Sequence, residues 1–284
     1  MKKENGFTLV ELLVAMAISG FVLTAINSIY KTQQQSYISQ EQVAAIQQNL
    51  RGGIYCMYRE IRMAGYDPQL CGRFGIVDIG LDNTGNGTIT FTLDDNLNNV
   101  SNESDGNGVV DHKETFVYSL YDYPTSSPDG ILDLGRKYGA SRQLLAENIE
   151  AMGLAYGFDT TGDGDNFLNT DINGNIIWAI DSDGDKDLDI NLDENNDGEI
   201  DIKDSADGKS LSHVDNGGLA DVPISDIRAV RIWLLARGDR RNPNQANNRI
   251  HVVANQRISP NDSFNRRLLT TSVRCRNMWV AKNN

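Results

Sequence analysis

The sequence predicts an α+β fold, a long N-terminal α-helix packed on an antiparallel β-sheet head that carries an acidic loop insertion. Three observations carry the prediction. Between Phe7 and Tyr30 the chain is apolar save for a few small polar residues and one charged side chain, Glu11. Past Tyr30 it turns polar, yet one apolar stripe persists to about Ala64. The remainder breaks into alternating or β-rich runs separated by Gly, Asn and Asp clusters.

Taken in order, the first element is a helix from Phe7 to about Ala64. Residues 7–30 are apolar nearly all round, and at about 1.5 Å per residue they can cross a hydrocarbon core of roughly 30 Å. Lys2 and Lys3 ahead of the run put its N-terminal end on the cytoplasmic side by the positive-inside rule. Residues 31–66 form an amphipathic half, in which Ile38, Val43, Ile46, Leu50, Ile54, Met57 and Ile61 recur at spacings near three and four. Gly52 and Gly53 weaken this half by about 1 kcal/mol each relative to Ala. Gly65 stops it, with Pro68 just beyond. A secretory signal would instead end its apolar core after about 7–15 residues at a small-residue cleavage site. A carboxylate at membrane depth costs about 2.5–3.5 kcal/mol on insertion scales, so Glu11 needs a partner or a proton.

Residues 67–284 are enough for one head of ordinary size. The β-rich runs are Thr88–Leu93, Glu114–Tyr121, Leu144–Phe158, Ile176–Ile180, Ala229–Leu235, Ile250–Ala254 and Leu268–Val273. A helix followed by such runs belongs to the α+β class. Strand order is not legible from them.

Charge is unevenly divided. Between Asp159 and Asp207 sixteen Asp or Glu stand against Lys186 and Lys203, so the net charge of −13 resides in this insertion, at about residues 159–207. From Asp226 onward twelve Arg or Lys face Asp226, Asp239 and Asp262. Such a tract can bind nucleic acid or phospholipid headgroups. These arginines alternate with apolar residues, however, which reads as a solvated strand face or as pairing with acidic neighbours, and no nucleic-acid partner is expected.

The insertion has spacing as well as charge. Asp193, Asn195, Asp197, Asp201 and Asp204 fall at positions 1, 3, 5, 9 and 12 of a Ca²⁺ loop, with Gly198 at position 6 and the Glu199 carbonyl at 7. Position 12 is Asp in place of Glu, which resembles dockerin-type loops. Upstream, Asp181, Asp183, Asp185, Asp187 and Asp189 recur at every second position, and Asp181, Asp183, Asp185 and Asp189 are the expected ligands of a second Ca²⁺. A third candidate runs from Glu103 through Asp105, Asn107, Gly108 and Asp111 to Glu114. Oxygen ligands with no His or Cys nearby choose Ca²⁺ over Zn²⁺. Without a cation the carboxylates repel at short range, and the alternative is an acidic loop that serves only solubility.

Cys56 on the helix, Cys71 just past it and Cys275 in the last strand allow one bridge and leave one thiol over, as an oxidising periplasm permits. Cys71 can reach Cys56 or Cys275, or all three stay free and apolar; the short closed loop favours Cys56–Cys71. His112, His213 and His251 lie apart, with no nucleophile signature, phosphate-binding glycine loop or zinc spacing beside them. The chain is not expected to be an enzyme.

The leader Lys2-Lys3-Glu4-Asn5-Gly6, followed by Phe7-Thr8-Leu9-Val10-Glu11-Leu12-Leu13, resembles the class III signal of type IV prepilins and type II secretion pseudopilins. Tyr37–Gln42 (YISQEQ) and Arg59–Asp67 (REIRMAGYD) extend the likeness to the PilW class of minor pilins. The close likeness covers about residues 5–75, and a looser one returns at 144–159, 227–237 and 266–277. Ser28 stands where the helix of many major pilins has a kinking proline, which favours a minor subunit. The resemblance implies that residues 1–6 are a leader, cut between Gly6 and Phe7 by a prepilin peptidase that methylates the new N-terminus. It implies a pilin-like fold, and a Glu11 that pairs with the Phe7 amine of a neighbouring subunit. It implies other major and minor pilins as partners through the helix. The head would be periplasmic on the inner membrane before assembly, and on a cell-surface pilus after it. A PilW-like minor pilin that takes part in pilus assembly or initiation is the function implied. A calcium-dependent tip adhesin and a minor pseudopilin of type II secretion are the alternatives.

Overall fold

Helix α1 runs from Leu9 to Ile61, starting two residues later than the apolar pattern because Thr8 serves as its cap. The Glu11 N–H donates to Thr8 Oγ1 at 3.3 Å, and Glu11 Oε2 accepts the Thr8 N–H at 2.8 Å. This reciprocal pair satisfies two of the N–H groups that a helix start leaves open. In the computed structural model, which describes residues 6–94, 108–161, 167–204, 221–242 and 248–279, the helix ends in a tightened turn. Met63 N–H and Ala64 N–H reach back to Glu60 O and Ile61 O, and Gly65 takes the left-handed conformation at φ 77°, which costs glycine least. The chain separates into two compact units, Met1–Ala45 and Ile46–Asn284.

In the second unit Ile46, Leu50, Ile54, Met57 and Ile61 are buried at steps of four and three. The two helical glycines differ. A Cβ on Gly52 would meet nothing within 4 Å, whereas one on Gly53 would stand 2.8 Å from Leu134 and 3.3 Å from Ala146. Gly53 lets the helix approach the first sheet closely.

The strands are β1 (Ile76–Leu81), β2 (Gly87–Thr92), β3 (Thr115–Asp122), β4 (Leu132–Tyr138), β5 (Ser141–Ala146), β6 (Ile149–Phe158), β7 (Ala179–Ile180), β8 (Asp187–Leu188), β9 (Ile190–Asn191), β10 (Val222–Pro223), β11 (Ile227–Arg241), β12 (His251–Val253), β13 (Gln256–Ile258) and β14 (Phe264–Arg274). The first five form an antiparallel meander in chain order, and a second sheet has the order β14-β11-β6-β7-β9. β8 pairs with β10, and β12 with β13. The run Leu144–Phe158, expected as one strand, is two. Asn148 at φ 59° breaks it, and the halves enter different sheets.

β11 and β6 are buried on both faces. Val230, Ile232, Leu234 and Ala236 share one core with Met152, Leu154, Tyr156 and the buried stripe of α1. Ala229, Trp233 and Leu235 face a second core with Trp178, Ile180, Ile190, Leu192 and Ile200. The last five belong to the acidic segment. The expected acidic loop is therefore in part structured: it adds β7 and β9 to the second sheet and covers that sheet's other face with apolar side chains.

Candidate functional site

Two regions carry the residues expected to act. In the first, Gly6 and Phe7 precede the cap, and Phe7 is 92% exposed. Every residue from Phe7 to Tyr37 is exposed, and the helix is long and apolar enough to cross a membrane. Ser19, Thr24 and Thr32 donate their hydroxyls to Ala15 O, Gly20 O and Ser28 O at 2.7, 2.9 and 3.0 Å. Their polar hydrogens are thus satisfied inside the helix, as an apolar solvent requires. The Glu11 carboxylate has the Thr8 hydroxyl as a second donor, at 2.9 Å.

The second region is the acidic segment, where the structure ranks the loops differently from their spacing. Among the described residues, the carboxylates gathered with oxygens within 4.8 Å of one another are Asp181, Asp183 and Asp185. Asp181 is buried and holds the turn: its oxygens accept Gly184 N–H at 2.7 Å and Lys186 N–H at 3.0 Å. Asp183 and Asp185 are exposed beside it. Asp189, the expected fourth ligand, instead accepts Ser182 N–H at 2.9 Å. Partial burial, followed by the charges of Asp185, Asp221, Asp181 and Asp183, raises the Asp187 carboxyl above the usual range.

The loop 193–204 has the expected fold without gathered ligands. Gly198 sits at φ 85°. Asp193 accepts the N–H groups of Asp197 and Gly198 at 3.2 and 2.8 Å, and Asn195 Oδ1 accepts Asp197 N–H at 2.8 Å. Asp197 accepts the N–H of Glu199 at 3.0 Å, while Asp204, fully buried, accepts those of Glu194 and Asp201 at 3.1 and 2.6 Å. Lys203 Nζ stands 3.4 Å from both Asp197 and Asp201, so an ammonium already supplies positive charge there. The Glu199 N–H and then Lys203 hold the Asp197 carboxyl low; burial and then Asp193 raise that of Asp204. Beneath the segment Arg231 stacks over Trp178 and Trp233, at 5.7 and 5.0 Å from the ring centroids.

All donors in both loops are hard oxygens, which fits Ca²⁺ better than a softer metal. The fit is closest at Asp181–Asp185. Of the third candidate loop, Glu103, Asp105 and Asn107 lie outside the described residues, as do Lys2 and Lys3 of the leader.

The expected disulfide is not formed, and Cys56, Cys71 and Cys275 are free thiols. Cys275 is fully buried, which pushes its thiol up to about 12. Cys71 is exposed and bonds to Gly108 O at 3.1 Å. A group not foreseen is Glu60 on α1, buried where the helix meets the first sheet. It accepts the Tyr118 hydroxyl at 2.5 Å and pairs with Arg136. Its place one residue before Ile61 in the stripe was the available signal.

A protein-family model of the prokaryotic N-terminal methylation motif matches residues 1–27. Comparison with curated proteins gives no match. Among solved structures, a type IV-like pilin from Thermus thermophilus is similar with a TM-score of 0.41 at 14% identity, over 81% of this chain and 96% of that one. The chain thus carries the prokaryotic N-terminal methylation motif at the start of one long apolar helix, with antiparallel sheets following it in the chain.

Proposed function

We propose that the chain is a PilW-like minor pilin, cut between Gly6 and Phe7, methylated on Phe7, and assembled with other pilins through its N-terminal helix. The observation that carries this reading is the helix surface from Phe7 to Tyr37, apolar in its first half and exposed throughout, with one carboxylate at its capped start. A surface of this kind needs a bilayer or other helices around it. In the bilayer Thr8 offsets part of the cost of Glu11 through two hydrogen bonds. In a filament the Phe7 amine of a neighbouring subunit takes that role. The head is then periplasmic before assembly and on the pilus after it. The test is mass spectrometry of the N-terminal peptide from membrane fractions, which should begin at N-methyl-Phe7. A start at Met1, or a cut beyond the apolar run, removes the reading.

The gathered carboxylates of Asp181, Asp183 and Asp185 favour a second reading, in which the acidic segment binds Ca²⁺ and presents a rigid surface for contact. Asp193–Asp204 is the weaker loop, since Ca²⁺ has to compete with Lys203 there. Binding stabilises the folded chain by RT ln(1 + [L]/Kd), about 2.7 kcal/mol at a hundredfold excess. Thermal unfolding of the full chain with Ca²⁺ and with EGTA should differ, and Asp181→Ala with Asp185→Ala should remove most of the difference. No shift at millimolar Ca²⁺ leaves the segment a solvated acidic surface.

A further inference from the structure

The second sheet carries a cleft, on the face away from α1, that the filament role does not use. Its floor is β11 and β14, where Trp233 stands opposite Thr270 in register and Arg231 lies two residues before Trp233. One wall is residues 199–202 of the acidic segment, and the other is residues 250–252, which lead into the β12–β13 hairpin. The volume is about 590 Å³, inside the range of roughly 300–1,000 Å³ typical of small-molecule sites. Both walls are anchored. Leu192 and Ile200 pack with Trp233 in the second core, and the hairpin lies so close to β6 that a Cβ on Gly153 would stand 2.6 Å from the Ala254 Cβ.

Two groups in the lining lack partners. The half-buried Arg231 guanidinium stacks over Trp178 and Trp233, and among the described residues it makes no hydrogen bond and no ion pair. Asp193 and Glu199 act on it only through their fields, and Asp193 already accepts two backbone N–H groups. Arg266, in the same lining, is by contrast tied to Asp262 at 2.6 Å and to Glu150. A guanidinium pinned by two indoles holds its donors in a fixed fork, which a carboxylate matches with two bonds. His251 is the second group. It is 6% exposed, and its Nε2 is buried without a hydrogen-bond partner. Burial, followed by Arg249 and Arg266, lowers its pKa, so the ring is neutral at neutral pH. An unpaired nitrogen of a neutral imidazole suits a hydroxyl, which donates or accepts as the tautomer requires. On the opposite wall Glu199 and Asp201 are further acceptors for hydroxyls.

We propose that this cleft binds an acidic saccharide of one or two rings, whose carboxylate lies on the Arg231 fork and whose hydroxyls meet His251, Glu199 and Asp201. The carboxylate gives the unpaired guanidinium the acid that the chain itself, at a net charge of −13, does not place there. Because Arg231 is already held by the two indoles, little side-chain freedom is lost on binding. The site needs no metal, and it is independent of the Asp181–Asp185 cluster.

The test uses the full chain in detergent with EGTA, so that no divalent cation bridges carboxylates. Digalacturonate and its methyl diester, which has the same rings without the charges, are titrated in a calorimeter. Digalacturonate should bind with a Kd of about 1 mM or tighter, and the diester at least about tenfold more weakly. Arg231→Gln should weaken digalacturonate at least about tenfold. Arg231→Lys, which keeps the charge without the fork, and His251→Phe should each weaken it several-fold. Arg240→Gln, at an exposed position outside the lining, should bind as the natural chain does. Thermal unfolding shows which variants are folded, and if Arg231→Gln is not, Arg231→Lys decides. The proposal is overturned if digalacturonate gives no binding at about 10 mM, if the diester or inorganic phosphate binds as tightly, or if the folded Arg231 variants bind as the natural chain does.

Discussion

The lysines of the two acidic loops act differently: Lys203 reaches the expected ligands of its own loop, whereas Lys186 pairs with Asp78 outside its loop. Lys203 lies within the loop that has the fuller ligand spacing, and its ammonium stands 3.4 Å from two of the expected ligands. Removing it should free the loop for a metal and expose its repulsion. Lys203→Met is expected to lower the unfolding midpoint in EGTA and to enlarge the rise that Ca²⁺ produces, read by scanning calorimetry; a smaller rise means that Lys203 does not compete with the ion. At the other end of the chain, Glu11→Val should insert at least as well as the natural chain, because the helix start loses its one charge. Co-purification with partner pilins should fall several-fold, and unimpaired co-purification assigns Glu11 another role. The acid spacing was legible because acidic residues at fixed positions leave a sequence signature. In the sequence Lys203 contributes only its charge, because nothing in the spacing says which carboxylates it reaches. Leu188, Ile190 and Leu192 alternate with Asp187, Asp189, Asn191 and Asp193; this two-residue period is a strand signal that the reading of the segment as a loop passed over, and all three apolar residues are buried.

At the scale of the element, α1 was legible to within three residues at each end, since a long apolar period needs no tertiary information. The difference between Gly52 and Gly53 was not, because what each meets depends on strands far along the chain. Gly52→Ala should stabilise the folded chain by up to about 1 kcal/mol, the gain expected at an exposed helical site. Gly53→Ala should destabilise it by about 1–3 kcal/mol through overpacking against Leu134 and Ala146. Denaturant unfolding of the two variants measures both, and equal effects mean that the helix does not pack as described. β1 and β4 escaped sequence reading for a related reason. β4 carries Gly135, which reads as a strand breaker, yet the position lies under the Tyr121 ring, where a Cβ would stand 2.0 Å from its nearest carbon.

For the whole molecule, the acidity of the insertion makes stability depend on pH and on metal together. The Asp187 carboxyl is raised by burial and by four neighbouring carboxylates. Where the group is ionised in both the folded and the unfolded chain, only the folded chain bears the repulsion. As pH falls through its raised folded value the folded chain takes up a proton first, so stability rises there, until the unfolded chain is protonated too. Asp187→Asn is therefore expected to raise the midpoint in EGTA at pH 7, with a gain that fades below the ordinary carboxylate range and shrinks in Ca²⁺. A pH series of melting curves checks it, and a gain independent of pH removes the electrostatic explanation. The same segment supplies Trp178, Ile180, Ile190, Leu192 and Ile200 to the second core, and this limits how it can be removed. A surface decoration can be gained or lost as a cassette, but excising this one would strip Trp233 and Leu235 bare on a long strand and leave an adhesive face. The acids and the wall behind them are one physical unit, and a chain trimmed of the segment should precipitate before it reports on anything else.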